Sequence, residues 1–167
     1  MHIHTPSLTH THTLSLYLSL FSSLSLSPSV LSIHGSYAVY LLVFSMEEVL
    51  CSDEAKQDAT WQYIKHWLNS LFIHAKAAPI LMVGTFADAV PERKRHEAIS
   101  QQLYNRLCTN PAFPNVVHND TGDLWFWPID NTKGEGDASL LSLRDQISAT
   151  TLSQQYVKQE VPLPYLH

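Results

Sequence analysis

An α/β fold with a parallel sheet is what this sequence predicts, and three observations carry that expectation. Residues 37–44 are eight apolar residues in a row, rich in β-branched and aromatic types, as in a strand covered on both faces. Residues 53–75 then repeat apolar side chains at helical spacing. The alternation of apolar run and helical repeat recurs twice downstream. The resulting order is strand, helix, strand, helix, strand, helix, which right-handed crossovers convert into half of a doubly wound sheet.

The first 35 residues have a different texture. No Lys, Arg, Asp or Glu occurs before Glu47, and Ser, Leu, His and Thr dominate. Residues 14–27 come close to alternating Leu with Ser, so residues 1–35 read as a low-complexity, disordered segment. A secretory leader would want a positively charged start, and a membrane span would want about 20 mostly apolar residues. Leu14 to Ile33 carries eight serines, so membrane association ranks below low complexity. His2, His4, His10 and His12 alternate closely enough to chelate a metal, but nothing in their spacing builds a tetrahedron.

Residues 36–150 read as the folded domain. After the 37–44 strand, Ser52 is placed to cap a helix with Asp53 and Glu54 in its first turn. Trp61, Ile64, Trp67, Leu68, Leu71 and Phe72 form its apolar stripe, and both tryptophans are expected in the core. Ala78-Pro79 turns the chain into a second strand over residues 80–83. Pro91 opens a second helix with an apolar edge at Ile99, Leu103 and Leu107. Residues 124–129 give a third strand, with Pro128 near its end because proline cannot donate to a ladder. Asp137 caps a last helix with Leu140, Leu143 and Ile147 on its apolar face. Residues 151–167, with Pro162 and Pro164, read as a linker toward a further domain.

Net charge is −5 with His neutral, which argues against nucleic acid as a partner, since phosphate binding needs a clustered positive face. The run Arg93-Lys94-Arg95 reads as a solvated helix face. Cys51 and Cys108 are far apart and read as free thiols in a reducing, cytoplasmic compartment. His66, His74, His96 and His118 read as helix-surface or loop residues. No Gly-x-Ser-x-Gly elbow or paired Cys–His arrangement points to nucleophilic catalysis.

Ligands of open α/β sheets bind beyond the carboxyl ends of the strands. Those ends supply Ser45, Met46 and Glu47, then Thr85 through Asp88, then Asp130 through Lys133. Guanine presents two adjacent donors that one carboxylate can accept together, and adenine cannot match that pair. Asp88 is the best-placed carboxylate, and Gly84 is expected to let the backbone turn and approach closely. On position alone, an ordinary loop acid is an equal reading of Asp88.

These residues, taken in order, resemble the C-terminal half of a Roc domain, the Ras-like GTPase module of the Roco family. Residues 38–44 resemble its strand after the second switch region, and Trp67-Leu-Asn69 with Ala78-Pro79-Ile80 resembles the next helix and turn. Val83-Gly-Thr-Phe-Ala-Asp88 resembles the family's Val-Gly-Thr-His-x-Asp guanine motif. Asp130-Asn-Thr132 falls where the last base-contacting loop would lie. Residues 155–158 and 161–163 resemble the exit toward a COR domain.

The resemblance implies a partial P-loop-NTPase-like (Rossmann-type) sheet flanked by helices. It also implies guanine contacts by Thr85, Phe86, Asp88, Asn131 and Thr132. Phe86 departs from the family's His, and Ser45 from a common Asp. No Lys is followed by Ser or Thr, and no Asp is followed three residues later by Gly, so P-loop and magnesium-switch patterns are absent. The expectation is weak GTP or GDP binding, no Mg²⁺ site and no GTPase activity from these residues alone, because phosphate and metal contacts supply most of the catalysis. Partners would be other protein chains, a COR-type domain or a second copy. Two alternatives stand beside this reading: an active Roco-type GTPase of which this sequence is an incomplete gene model, and an α/β interaction module that binds no nucleotide.

Overall fold

The computed structural model describes residues 38–154. The low-complexity segment with its histidines, and the proposed exit at residues 155–163, lie outside them. The described chain forms β1 (Tyr40–Ser45), a single helical turn α1 (Met46–Val49), α2 (Glu54–His74), β2 (Ile80–Thr85), α3 (Arg93–Leu107), β3 (Trp127–Pro128) and α4 (Ala138–Ser153). The three strands form one parallel sheet in the order β1-β2-β3. Tyr40 pairs with Ile80, Ser45 with Thr85, and Val83 with Trp127.

A sheet that grows in one direction through same-handed crossovers puts successive helices on one face. That is what the packing shows. Trp61, Ile64 and Leu68 of α2 and Ile99, Leu103 and Leu107 of α3 share a core with Leu42, Phe44, Ile80, Met82 and Phe126. The other face carries Leu81, Val83, Trp127 and Ile129 against Leu143 of α4. All six residues of β2 are buried, whereas β1 alternates between buried and half-buried positions. The eight-residue apolar run therefore does not become a strand fully buried on both sides. Val39, Leu41 and Val43 are partly buried, because α4 follows β3 and covers that side of the sheet first.

Local chemistry sets the helix ends. The Asp53 carboxylate accepts from the N–H groups of Ala55 and Lys56 at 3.0 and 3.4 Å, so Asp53 and not Ser52 is the cap of α2. Helix α3 starts at Arg93, two residues beyond Pro91, where the Arg95 and His96 N–H groups both donate to the Glu92 carbonyl. Asp137 caps α4 as expected, accepting from Ser139 N–H at 2.9 Å.

Two aromatic placements correct the sequence reading. Trp61 is 1% exposed, with Arg106 stacked over its ring at 4.7 Å, but Trp67 is 45% exposed. One residue is about 100° of helix rotation. With the buried stripe on Trp61, Ile64 and Leu68, Trp67 falls on its flank and packs edge-on against Tyr63 and His66. His96 is buried and not on the surface. Its Nε2–H donates to the Val90 carbonyl at 2.6 Å, tying α3 to the chain that follows β2. His66 and His74 are on the surface as expected.

The third strand is shorter than the 124–129 run suggested, and it is interrupted. Val117 N–H donates to the Ile80 carbonyl and Ile129 N–H to the Gly84 carbonyl, so the chain meets the edge of β2 twice. In between it leaves the sheet: Asn119 and Leu124 pair with each other, and Trp125 N–H goes to Ser100 Oγ at 2.9 Å.

Gly84 has a different role from the one its position suggested. It lies inside β2 opposite Phe44 and Pro128 and carries no positive φ. A Cβ there would sit 2.7 Å from Met46 Cγ and 2.8 Å from the Phe126 ring. Glycine is needed because two core side chains occupy that space. Met46 is correspondingly buried beneath the strand and does not line the crevice, as its place after β1 had suggested. Gly84→Ala is expected to lower unfolding stability by about 1–3 kcal/mol, the usual range for overpacking. Urea unfolding followed by tryptophan fluorescence measures it.

Candidate functional site

The loops that leave β2 and β3 lie side by side, because their parent strands are neighbours and parallel. Two backbone bonds hold them in that relation: Ile129 N–H to the Gly84 carbonyl at 2.8 Å, and Ala87 N–H to the Ile129 carbonyl at 3.2 Å. Residues 85–88 and 130–133 therefore share one rim at the carboxyl end of the sheet.

Each expected contact residue has a distinct situation on that rim. Thr85 is buried, and its hydroxyl donates to the Phe44 carbonyl at 3.1 Å. It binds β2 to β1 and does not offer its hydroxyl outward. Phe86 is 46% exposed and sits at φ 64°, in the left-handed region. A phenylalanine there carries roughly 1–2 kcal/mol of backbone strain. The turn that sequence reasoning assigned to Gly84 is made here instead. Asp88 is exposed two residues later. Asn131 and Thr132 are exposed on the facing loop.

The 130–137 loop is organised by two aspartates. Asp130 Oδ1 accepts from Thr132 N–H at 2.9 Å and from Thr132 Oγ1 at 2.6 Å, and its Oδ2 meets Lys133 Nζ at 3.0 Å. The Asp130 backbone N–H donates to Asp137 Oδ2 at 2.8 Å, so one carboxylate caps α4 and fixes the start of the loop. The Thr132 side-chain and backbone donors, then Lys133, hold the Asp130 carboxyl down at about 2. The Asp130 carboxylate, then more weakly Asp137 and Asp88, holds the Lys133 ammonium above its ordinary value.

Sequence reasoning placed Asp130 and Lys133 at the strand end without seeing that their mutual contact builds the loop. The i, i+2 spacing of Asp130 and Thr132 was the available signal, since Asp bonds readily to backbone two residues on. The arrangement offers one exposed carboxylate at Asp88, one exposed aromatic ring at Phe86 and the polar side chains of Asn131 and Thr132. The Asp88 carboxylate can accept two adjacent N–H groups.

Among the described residues no group of three His, Cys, Asp or Glu is gathered as for a metal ion, and no helix is long and apolar enough to cross a membrane. Cys51 and Cys108 are both free thiols. Compared with known proteins, the chain matches no family model, no curated protein and no solved structure.

The Asp130 network fixes a pH dependence. Its folded pKa lies below the ordinary value of 3.8, so its contribution to stability is present above that value and is lost as pH falls toward about 2. Asp130→Asn is expected to flatten the acid limb of the stability profile between about pH 4 and pH 2. Thermal midpoints of both proteins across that window measure it.

Proposed function

We propose that residues 36–150 are the base-reading half of a Roc-type G domain, one that holds guanine weakly and acts through protein contacts in intracellular signalling. The observation that carries this reading is the shared rim: the loop bearing Asp88 and the loop bearing Asn131 and Thr132 are joined backbone to backbone at Ala87 and Ile129. The topology is compatible with it, since three consecutive parallel strands place two helices on one face and the last on the other.

In this reading the Asp88 carboxylate accepts from N1–H and the 2-amino group of guanine, and the Phe86 ring covers one face of the base. The polar side chains of Asn131 and Thr132 border the other edge. Such contacts select guanine over adenine but bury little area, so the expected dissociation constant is about 1 mM or weaker. The 167 residues contain no P-loop pattern, so no GTP hydrolysis is expected from them alone. The role is therefore that of an interaction domain, with a COR-type domain or another protein chain as partner.

Titration of the ¹⁵N-labelled protein with GMP and AMP tests the proposal. GMP is expected to shift the backbone signals of residues 85–88 and 130–133 in a saturable way, with AMP at least ten-fold weaker. Asp88→Ala is expected to erase the difference, and because Asp88 is exposed the fold should survive the change. GTP, GDP and GMP should bind alike, and phosphate release from GTP should equal the buffer blank. Equal shifts from GMP and AMP would defeat the reading.

A further inference from the structure

We propose that the outward flank of α2 is the interface of an antiparallel dimer, occupied by α2 of a second copy of this chain. The guanine site takes no part in it, so either reading can fail without the other.

Helix α2 buries Trp61, Ile64 and Leu68 and meets α3 along one flank, where Arg106 covers Trp61 and Asn110 Nδ2 donates to Asn69 Oδ1 at 2.8 Å. The opposite flank carries Ala59, Tyr63, Trp67, Ser70 and His74, which helical spacing puts in one row. Tyr63 is 39% exposed and Trp67 45%, and their rings meet edge-on at 6.2 Å. The row holds no Lys, Arg, Asp or Glu. Depleted charge around exposed Tyr and Trp is the composition of an interface core, where those two residue types carry much of the binding energy.

The row reads nearly alike in both directions. Tyr63 and Trp67 stand near the middle of the 21-residue helix, with the small Ala59 and Ser70 on either side. An isologous two-fold axis level with Lys65 lays Tyr63 of each copy beside Trp67 of the other and brings Thr60 level with Ser70.

The charges favour a second copy over any other occupant. Glu48 is held over the start of the row by Thr60, whose hydroxyl donates to Glu48 Oε2 at 3.0 Å. The same axis brings His74 of the second copy about one helical turn from Thr60, where an imidazole N–H is placed to donate to the Glu48 carboxylate. Two-fold symmetry makes that contact twice. Further out, Glu47, Asp53, Glu54 and Asp58 are exposed around the start of α2, with Lys56 as the one cation, whereas residues 59–79 hold Lys65 and Lys76 and no acid. None of these charges is in an ion pair among the described residues, and Glu54 and Asp58 repel each other at i, i+4. Antiparallel packing sets each acidic start against the basic end of the other helix and opposes the two helix dipoles.

Sedimentation velocity of the full chain is the test. The wild-type chain is expected to form a concentration-dependent dimer. Trp67→Glu is expected to weaken it roughly ten-fold or more, whereas Leu152→Glu, at an exposed leucine of α4, leaves it unchanged. Glu48→Lys and His74→Glu are each expected to weaken the dimer, and an equimolar mixture of the two to recover it, because each end of the mixed pair then sets an acid against a base. All four positions are exposed, so the fold should survive each change. A wild-type chain still monomeric at about 0.1 mM, an unchanged dimer in Trp67→Glu, a dimer lost in Leu152→Glu, or a mixture that stays monomeric would overturn the proposal.

Discussion

Everything in this fold is arranged around a point in β2 where no side chain fits. Met46 from below and Phe126 from the edge close on Gly84 to within van der Waals contact of its backbone. Phe126 in turn meets Phe44 edge-on at 5.5 Å and His96 at 6.3 Å. One glycine thus lets the end of β1, the turn of α1, the start of α3 and the approach to β3 converge. The strand can lie at the centre of the sheet, covered on both faces, only because its neighbours are allowed this close.

The same convergence positions the rim. His96 reaches the Val90 carbonyl, so the chain leaving β2 is held at its far end by α3. At its near end Ala87 is held by Ile129. Just before the nearer anchor, Phe86 sits in the left-handed region. Strain of that kind persists only where the surroundings over-determine the backbone, and such places cluster at ligand sites. Across the gap, Asp137 holds Asp130, and Asp130 holds Thr132 and Lys133. Both loops are thus held in shape by bonds within the fold itself.

Much of the architecture was legible because periodicity reports directly on burial. The helical repeat of Trp61, Ile64 and Leu68 and the apolar run at Ile80–Val83 gave α2 and β2 nearly to their ends, and Asp137 was visible as a cap. What was hidden depends on partners far away in sequence. Trp67 belongs to the same helical pattern as Trp61, and only the position of the buried stripe puts it outside. His96 looks like a surface histidine until a carbonyl from the preceding loop comes within reach. The third strand fails at Trp125 because its N–H finds Ser100, on another helix, before it finds β2. Within the rim, Asp88 and the 130–133 segment could be placed at strand ends by topology, while the tie between Ala87 and Ile129 could not be read from either segment by itself.

The interrupted third strand has a consequence for how this molecule can vary. Its register is set at Trp127 and Pro128 and flanked by backbone bonds at Val117 and Ile129, with Phe126 packed in the core between them. Residues inserted in the exposed turn at 120–123 would lengthen a surface excursion without sliding any strand, because loop closure grows only slowly more costly with length. The turn at 120–123 can therefore change in length while the frame beneath it stays in step.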